Sequence, residues 1–593
     1  MTELPPPSIP WQVTGNHWLA LPCIHPADAS LHAIGVLHRG ARAAIEFAGH
    51  ADFLAGAGPA LLRPVLTVNG ARVLLSDGQM AWERAVGWLP TFTCTLGGLI
   101  IRGTIFAPYG RDADMAGAVY AIAVENRGAA VARVVLSLEG ALGHRQQRVR
   151  TARPFDDAHR VARATEGLLV LGGTALPQLV ALAVGADAAA RVEVDAGPNG
   201  FVIRRELEVA PGGREQAAFY IAAGPEHDGA EATVAVMRRR GWRELLTATR
   251  DALQALEQTT GNEGIDRIIN RNLLFAYFFA VGRALDDAHY YLVRTRAPWH
   301  GRGLTVRDWE ALSWTIAAVQ LADAALAREL LLRACELHGY APGRGVHYLD
   351  GTLFEPGFCL EGAAAYALAT DRYIRDTGDD EIVDEPALAD TLYLSADDLA
   401  ARRDKQVPLY ATEVSPSGEP VPHPFTLHAN AVVAQALDVL RRTLDEETAR
   451  EVEDPDAVRA AIRRHFDVKR DGHASFATAI DLAGNAATDD DPLASALWLP
   501  LYDAVERHDS AYRRTVRGVG AEPHHLAQQC ARLLGPDSGE VLKWLRRAPL
   551  DGGLAAEVVD AGGRVAGNGG DAALAGLLAW SAWYAVHALG VRP

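Results

Sequence analysis

The densest group of chemically useful side chains lies between residues 299 and 314, in the stretch WHGRGLTVRDWEALSW. It combines tryptophans with arginine and histidine cations and an Asp-Glu pair around two glycines. Aromatic faces can stack on pyranose rings, and Arg and Asp side chains can hold hydroxyl groups. The stretch therefore indicates a sugar-binding site, and helix capping by Asp308 is the alternative interpretation.

The glycines break any regular element at the start of this stretch, and helical spacing begins at Val306. Arg307, Asp308 and Trp309 are therefore predicted at a loop-to-helix junction. Trp299 and Trp309 could form a stacking platform, and packing in a hydrophobic core is the alternative for both tryptophans.

The composition excludes several classes of protein. The chain has 593 residues, which predicts two or more domains. Its 57 basic and 74 acidic residues give a net charge of −17, which argues against nucleic acid or anionic membranes as partners. No run of 18 apolar residues or secretory signal is visible, so we expect a cytoplasmic, soluble protein.

The cysteines and glycine-rich stretches do not indicate a metal or a cofactor. The five cysteines are scattered, without a Cys/His metal spacing, as is typical of a reducing compartment. The segment GNGG at 567–570 follows no predicted strand and lacks a lysine, which argues against a nucleotide site. The abundance of Ala, Arg and Gly suggests a bacterial genome.

Residues 1–225 have an apolar pattern of period two. Short alternating runs are separated by turn residues, for example at Asn126-Arg127-Gly128 between two such runs. Roughly a dozen runs of this kind predict a large antiparallel β-sandwich of two extended sheets. The stretch 226–256 is amphipathic at helical spacing and predicts a linker helix region.

Residues 257–593 have helical spacing, and strand signals nearly vanish there. Many segments are rich in Ala and Leu on most faces, which predicts helices packed on two sides. Twelve such helices predict six hairpins that close into an (α/α)6 toroid. An open helical solenoid is the alternative. The predicted helices are 261–285, 306–322, 325–338, 357–377, 386–403, 425–442, 454–466, 490–505, 510–518, 522–535, 538–546 and 571–588.

Four loops of this helical part mix carboxylates with Gly or Pro and with an aromatic residue or His. Each loop precedes a predicted helix, and loops on a rigid scaffold are the usual place for function. The loops are 299–308, 348–361, 409–428 and 550–571.

At this point the chain resembles the six-hairpin glycoside hydrolases, which include glucoamylases, the glucosidase domain of glycogen-debranching enzymes and the processing α-glucosidases. The resemblance covers most of the chain, since a β-supersandwich, a linker helix and an (α/α)6 barrel follow in that order. The segment 306–309, VRDW, resembles the family's "GRD" loop, whose Asp binds the terminal sugar; here that residue is Asp308. Glu361, followed by Gly362 and Ala363, lies where debranching-type enzymes carry a substrate-binding acidic residue.

Two further segments resemble those that supply the family's catalytic carboxyl groups. Thr412-Glu413-Val414, followed by 420–430, resembles "MDA … PVEINAL", although the family's acid there is usually Asp and Glu413 departs from it. The segment 556–560, AEVVD, followed by 567–571 and by 579–581, resembles "SEVFDG … GAxAWS", which supplies the base. This match is the most specific one, and it implies Glu557 as the base.

Glycoside hydrolysis needs one carboxyl group that protonates the leaving oxygen and another that activates water. Because the acid must keep its proton near neutral pH, its pKa must be raised by burial or by a neighbouring carboxylate. Few cations are near Glu413 in the sequence, which permits this role. Glu355 and Glu419 are alternative acids, and a solvated loop carboxylate is the alternative for Glu413 and Glu557. Capping of the fourth predicted helix is the alternative for Glu361.

The resemblance predicts an exo-acting hydrolase of α-glucosidic oligosaccharides with an inverting mechanism. Because the sequence has no metal-ligand constellation, we expect no metal and no cofactor. Arg307, Trp309, Trp299 and His428 are expected to bind substrate beside Asp308 and Glu361, and His300 and His423 are further loop histidines. A glycoside phosphorylase on the same scaffold and a non-catalytic carbohydrate-binding protein are the alternatives. The sugar, the linkage and the oligomeric state do not follow from the sequence.

Overall fold

The computed structural model describes two compact units of the chain. The first contains the described residues up to Glu257 with Val281–Tyr290 and Arg296–Leu304. The second contains Gln258–Ala280, Tyr291–Thr295 and the described residues from Thr305 onward. The described residues are 11–50, 53–55, 58–147, 152–154, 160–165, 168–173, 180–187, 190–194, 200–470, 472–517, 519, 524–566 and 569–592.

Antiparallel strands make up most of the first unit. They form a six-stranded sheet of order β1-β2-β3-β4-β12-β13, an eight-stranded sheet of order β14-β15-β16-β19-β10-β9-β8-β7 and a five-stranded sheet of order β17-β18-β11-β5-β6. The strands are β1 Gln12–Gly15, β2 Leu19–Ile24, β3 Leu31–His38, β4 Ala43–Ala48, β5 Arg63–Val68, β6 Ala71–Leu74, β7 Gln79–Ala85, β8 Leu89–Leu96, β9 Leu99–Phe106, β10 Gly117–Asn126, β11 Ala132–Ala141, β12 Gly143–Gln147, β13 Ala152–Pro154, β14 Arg160–Thr165, β15 Leu168–Gly173, β16 Ala181–Ala186, β17 Arg191–Val194, β18 Gly200–Val209 and β19 Arg214–Gly224.

The core of this unit follows from the period-two pattern of the sequence. On β8 and β9 the side chains of Phe92, Cys94, Ile101 and Ile105 are buried, and the residues between them are more exposed. Phe92 lies opposite Gly103, where a Cβ would come within 2.2 Å of its ring. Apolar residues of all three sheets join one core cluster. The predicted antiparallel β-sandwich is confirmed, but its strands form three sheets instead of the expected two.

The amphipathic stretch after the last of these strands forms two helices, α1 His227–Arg240 and α2 Trp242–Leu256. Gly241 separates them with a φ of 81°, a conformation that glycine adopts without strain. Helix α1 packs on β16 and β19, so this segment belongs to the first unit and is not a free connector.

The second unit is mainly helical. Asp308–Glu310, the π-helical Ala311–Thr315 and Ile316–Ala322 form one continuous helix, called helix 308–322 below. A 3-10 helix covers Ala496–Tyr502. The α-helices are α3 Glu263–Phe275, α4 Asp308–Glu310, α5 Ile316–Ala322, α6 Ala324–Leu337, α7 Leu360–Thr377, α8 Pro386–Arg402, α9 Leu427–Thr443, α10 Glu446–Glu451, α11 Pro455–His465, α12 Ser510–Thr515, α13 Leu526–Leu533, α14 Ser538–Leu545 and α15 Ala572–His587.

Six of these elements form a closed inner ring in the described part of the unit. Helix 308–322 contacts α7, α7 contacts α9, α9 contacts the 3-10 helix, and α13 and α15 lead back to helix 308–322. Helices α3, α6 and α8 each pack against two members of that ring, and α11 and α14 each pack against one. Helix α15 is apolar on most faces because it is packed on several sides. The predicted (α/α)6 toroid is confirmed.

Short strands in the loops correct the expectation that strands nearly vanish after residue 257. Backbone N–H and C=O groups of these loops pair with one another because few of them can be left without a partner. The strands are β20 Val281–Arg283, β21 Tyr290–Leu292, β22 Thr305–Val306, β23 Arg344–Tyr348, β24 Leu353–Phe358, β25 Phe425–Thr426, β26 Asp467–Arg470, β27 His473–Phe476, β28 Ala479–Ile480, β29 Ala486–Ala487, β30 His524–His525 and β31 Val558–Val559.

Several predicted helices are shorter than expected, and the described part of the segment 522–535, for example, is helical only over Leu526–Leu533. The segment 261–285 is helical only to Ala280, where strand β20 begins. The segment 490–505 contains only the 3-10 helix Ala496–Tyr502, with Pro500 inside it, because proline removes a backbone donor and disfavours an α-helix. Among the described residues, no helix is both long and apolar enough to cross a bilayer.

Candidate active site

Arg307 and Asp308 lie where strand β22, which pairs with β23, runs into helix 308–322. This is the loop-to-helix junction that the sequence predicts. Asp308 does not cap its own helix, because Arg307 is the N-cap residue and makes no side-chain capping bond. The carboxylate of Asp308 instead accepts hydrogen bonds from the backbone N–H of Gly343, at 2.9 Å, and from the hydroxyl of Tyr366, at 3.0 Å.

The carboxyl group of Asp308 has an unusual protonation equilibrium. Its side chain is buried, and this burial raises its pKa to about 7, although the two hydrogen bonds lower it. Because the protonated form can donate as well as accept a hydrogen bond, Asp308 can change its bonding pattern near neutral pH.

Next to Asp308, two arginines and two carboxylates form a buried network. Arg294 donates to Asp571 Oδ2 from Nε, at 2.9 Å, and from Nη2, at 2.7 Å. Arg307 Nη1 donates to Glu310 Oε1 at 3.2 Å, and Arg294 Nε lies 3.8 Å from Glu310 Oε2. Each cation therefore has a carboxylate partner, as buried charges require.

The carboxylates around Arg294 determine the direction in which its pKa is shifted. Burial by itself lowers this pKa, but the carboxylates of Asp571 and Glu310 raise it above the ordinary range. Glu557 contributes in the same direction, so its negative charge lies within electrostatic reach of this network.

Glu361 and His428 form a buried pair at the starts of α7 and α9. Glu361 Oε1 lies 2.8 Å from His428 Nδ1, and the side chains are 1% and 2% exposed. The imidazole packs edge-on against the Trp309 ring, with centroids 5.7 Å apart, and against Tyr502, also at 5.7 Å. The carboxylate thus fixes the orientation of the imidazole ring and leaves Nε2 as its free nitrogen.

Several residues of this group have a buried polar atom without a hydrogen-bond partner. Among the described residues these atoms include Arg307 Nε, Trp309 Nε1 and His428 Nε2. A buried donor or acceptor without a partner costs about 1–3 kcal/mol, so such atoms are rare unless a ligand or water binds them. Their position at the starts of inner helices defines a candidate binding site.

A small cavity of about 30 Å³ adjoins Arg307 and Asp308. One side of it is formed by Glu355 and by the turn Val414–Gly418, which is closed by a hydrogen bond of 2.8 Å from Gly418 N to Ser415 O. A cavity of this size holds about one or two water molecules and no pyranose ring. A sugar can therefore occupy this position only if part of the cavity wall moves.

The surroundings of Glu413 differ from the expectation. Its side chain is 54% exposed, and it accepts hydrogen bonds from Arg402 Nη1, at 2.7 Å, and from the backbone N–H of Phe358, at 3.0 Å. These bonds, the one from Arg402 above all, lower the pKa of Glu413. The expectation that Glu413 has few cations nearby is wrong, because the end of α8 brings Arg402 beside it.

Glu557 lies on the loop that ends at the start of α15. Its backbone carbonyl accepts a hydrogen bond of 3.0 Å from the N–H of Leu526, and the neighbouring Ala556 bridges to Gly569. The side chain is half-buried. Residues 567–568 of the glycine-rich segment lie outside the described residues.

The other sequence candidates are dispersed. Trp299 and His300 are buried and belong to the first unit, so the role of Trp299 in sugar binding stays a prediction. Glu419 is exposed, and His423 is half-buried. Glu355 is also half-buried and lines the small cavity.

Several members of the site were not among the predicted site residues. They are Arg294, Glu310, Tyr366, Tyr502 and Asp571. The spacing of Arg307 and Glu310 along one helix face could have revealed Glu310. The other four are far apart in sequence, and no local pattern marks them.

Comparison with solved structures defines the class of this fold. A bacterial glucoamylase, solved in complex with acarbose, has a TM-score of 0.62 at 10% identity, covering 99% of this chain and 96% of that chain. A protein from the human microbiome described as a kojibiose phosphorylase has a TM-score of 0.59 at 9% identity, covering 97% and 86%. The chain has the six-hairpin fold of the glucoamylase-like proteins. No family model matches the sequence, and no curated protein sequence matches it.

Proposed function

We propose that this protein is an exo-acting glycoside hydrolase that removes terminal sugars from α-glucosidic oligosaccharides. The observation that carries the proposal is the group of unpartnered polar atoms on Arg307, Trp309 and His428, beside the buried carboxyl of Asp308. Donors beside aromatic rings suit the hydroxyl groups and apolar face of a sugar. The acarbose complex of the bacterial glucoamylase with this fold supports an oligosaccharide ligand.

In this proposal the terminal sugar binds at the starts of helix 308–322, α7 and α9. Asp308 and Arg307 hold hydroxyl groups, and the Glu361 carboxylate orients His428 so that Nε2 faces the sugar. Entry of the sugar requires displacement of the turn Val414–Gly418. Glu557 is the base that activates water, and the inverting stereochemistry is inferred from the family resemblance.

The residue that we propose as the catalytic acid differs from the one that the family resemblance implies. Glu413 can act as an acid only after its bond with Arg402 is broken, because that bond stabilises the charged form. Glu355 lines the cavity beside Arg307 and Asp308 and has the better position. We therefore propose Glu355 as the first candidate acid and Glu413 as the second.

A glycoside phosphorylase is the second candidate function, supported by the likeness in fold to the kojibiose phosphorylase. A phosphorylase would need an arginine or lysine in the active site that binds phosphate and is not already paired with a carboxylate. Because Arg294 and Arg307 are each paired with a carboxylate, hydrolysis is favoured.

The test is to incubate the full-length protein with a panel of α-linked glucose disaccharides, with and without inorganic phosphate, and to follow products by proton NMR. Release of β-glucose without phosphate supports an inverting hydrolase. Formation of a sugar 1-phosphate only with phosphate would identify a phosphorylase. Binding without turnover across the panel would identify a non-catalytic protein, and Glu557→Gln is the inactive control.

A further inference from the structure

A second, larger cavity lies within the ring of inner helices. Its volume is about 140 Å³, and we call it the bore cavity. Its walls come from Leu368–Arg375 in the second half of α7, from Gln435 on α9, from the 3-10 helix and from Leu577–Tyr584 on α15. It shares Trp309 and Tyr502 with the candidate active site, whereas Asp308, Glu361, Glu413 and Glu557 do not line it.

Aromatic rings form much of the lining of the bore cavity. They belong to Trp314, Trp498, Tyr502, Trp580 and Tyr584, and the rings of Trp580 and Tyr584 stack with centroids 5.1 Å apart. A cavity of similar volume in another protein holds one benzene molecule. The bore cavity therefore has room for one six-membered ring against aromatic faces.

Besides Trp309, two side chains of the lining have polar atoms without a hydrogen-bond partner. Arg372 Nη2 donates to the carbonyl of Leu312 at 2.6 Å, but Arg372 Nε has no partner among the described residues. The same holds for Gln435 Oε1. Arg372 Nε can donate a hydrogen bond to a polar ligand, and Gln435 Oε1 can accept one from it.

The charge of Arg372 is not matched by a carboxylate at ion-pair distance within the described part of the chain. The adjacent Asp371 is instead bound by Arg375, at 3.4 Å, and by Arg442, at 3.1 Å. Asp376 is nearby but accepts its hydrogen bond from Gln320 at 2.9 Å. Burial lowers the pKa of Arg372 to about 10, as expected for a cation with little compensation.

We propose that the bore cavity binds an anionic monosaccharide, that is, a six-membered sugar ring that carries a carboxylate or a phosphate group. The ring lies against the tryptophan faces, the anion pairs with Arg372, and Gln435 binds a hydroxyl group. This site goes beyond the proposed hydrolase, and its test does not depend on glycosidic-bond cleavage.

The test is isothermal titration calorimetry of the full-length protein with glucuronate, glucose 6-phosphate, glucose and inorganic phosphate. We expect at least one anionic sugar to bind more tightly than glucose or phosphate, and the preferred sugar identifies the anion. Arg372→Met should weaken this binding by about tenfold or more, because a charge-assisted hydrogen bond is lost. Arg333→Met is the matched control, since Arg333 Nε is also buried without a partner but does not line the cavity.

Three results would overturn the proposal: no binding of either anionic sugar, equally tight binding of glucose or phosphate, or unchanged binding by Arg372→Met. If Arg372→Met does not fold, a crystal structure of the wild-type protein soaked with glucuronate or glucose 6-phosphate decides. An anion within hydrogen-bond distance of Arg372 supports the proposal, and an empty bore cavity contradicts it.

Discussion

Individual side chains of the candidate site combine burial with incomplete hydrogen bonding. Arg307, Trp309 and His428 each have an unpartnered polar atom, and Asp308 has a carboxyl group that burial keeps partly protonated. Stability alone does not favour such groups, because each lowers the free energy of unfolding. We infer that a ligand completes their bonds, and the residues can be tested one at a time.

Asp308→Asn should raise KM and lower kcat together for a substrate found in the disaccharide panel. The reason is that a hydrogen bond from a sugar hydroxyl to this carboxylate strengthens in the transition state. Steady-state kinetics measure the effect, and circular dichroism checks the fold. Unchanged kinetics would leave Asp308 with only a structural role, as the acceptor from Gly343 and Tyr366.

The same variant should change how stability depends on pH. Burial raises the pKa of Asp308 to about 7, so the folded state keeps a proton that the unfolded chain releases near about pH 4. The wild type should therefore lose stability as the pH rises from about 4 to 7, by at most about 1.4 kcal/mol per unit of pKa shift. Asp308→Asn lacks this carboxyl group, so its stability should fall less over the same pH range.

Urea unfolding at pH 5 and pH 8 measures the difference. The stability of Asp308→Asn relative to the wild type should be greater at pH 8. The Asn amide can keep both bonds, accepting from Gly343 N–H and donating to the Tyr366 oxygen. A difference that is the same at both pH values would show that Asp308 is charged throughout this range.

Glu557→Gln, Glu355→Gln and Glu413→Gln separate the base from the candidate acids. A positioned acid or base contributes a factor of about 10² to 10⁴ in rate, so loss of the base or of the true acid should reduce kcat on that scale. A dinitrophenyl glycoside needs little protonation of its leaving group. With this substrate the variant that lacks the acid should regain part of its activity, whereas the activity of Glu557→Gln should change little.

The leaving-group result assigns the roles. Rescue of Glu355→Gln supports the proposed acid, and rescue of Glu413→Gln would show that its bond with Arg402 breaks when substrate binds. Rescue of Glu557→Gln would mean that acid and base are exchanged. Full activity of all three variants would place the catalytic pair elsewhere.

At the level of elements, the turn Val414–Gly418 lies against Arg307 and lines the same small cavity. Gly418 has a φ of 84°, and a Cβ at this position would lie 3.3 Å from Arg307 Nη2. The backbone conformation therefore favours glycine, and a Cβ would also push the Arg307 guanidinium away by a few tenths of an ångström. The turn follows Glu413, whose bonds to Arg402 and to the Phe358 N–H hold one end of it on α8 and β24.

Gly418→Ala should reduce activity more than its loss of stability explains, because the added methyl group displaces the Arg307 guanidinium. Gly378→Ala is the matched control, since Gly378 has a φ of 76° at the end of α7 and open space around it. Both changes should lower stability by about 1–2 kcal/mol through left-handed backbone strain. Equal activity of the two variants at equal stability would show that the turn does not position Arg307.

For the whole molecule, burial of the cysteines gives a simple measure of the folded state. Cys23, Cys94, Cys335 and Cys530 are buried, and Cys359 is partly buried. Burial raises the pKa of Cys335 to about 12 and raises the pKa values of Cys94, Cys359 and Cys530 as well. Thiolates, the reactive form, are therefore scarce in the folded protein.

Titration with Ellman's reagent at pH 8 should modify no more than one thiol rapidly in the native protein. All five should react in guanidinium chloride. Rapid reaction of two or more thiols in native buffer would show that the helical ring or the sandwich core opens readily.

The architecture and one part of the site follow from local patterns of the sequence. Period-two alternation up to residue 225 predicts the sandwich, and helical spacing after residue 257 predicts the ring, because burial of one face or of several faces imposes these periods. Arg307 and Asp308 are predicted at a helix start because Gly301 and Gly303, which break regular structure, are followed closely by helical spacing from Val306.

The charges and partners of the site depend instead on residues that are distant in sequence. Glu361 meets His428 across 67 residues, and Arg294 meets Asp571 across 277 residues. Arg402 neutralises Glu413 only because the loop before α9 folds back on the end of α8. Ion pairing and pKa values depend on distance and burial, and a linear pattern of residue types contains neither quantity.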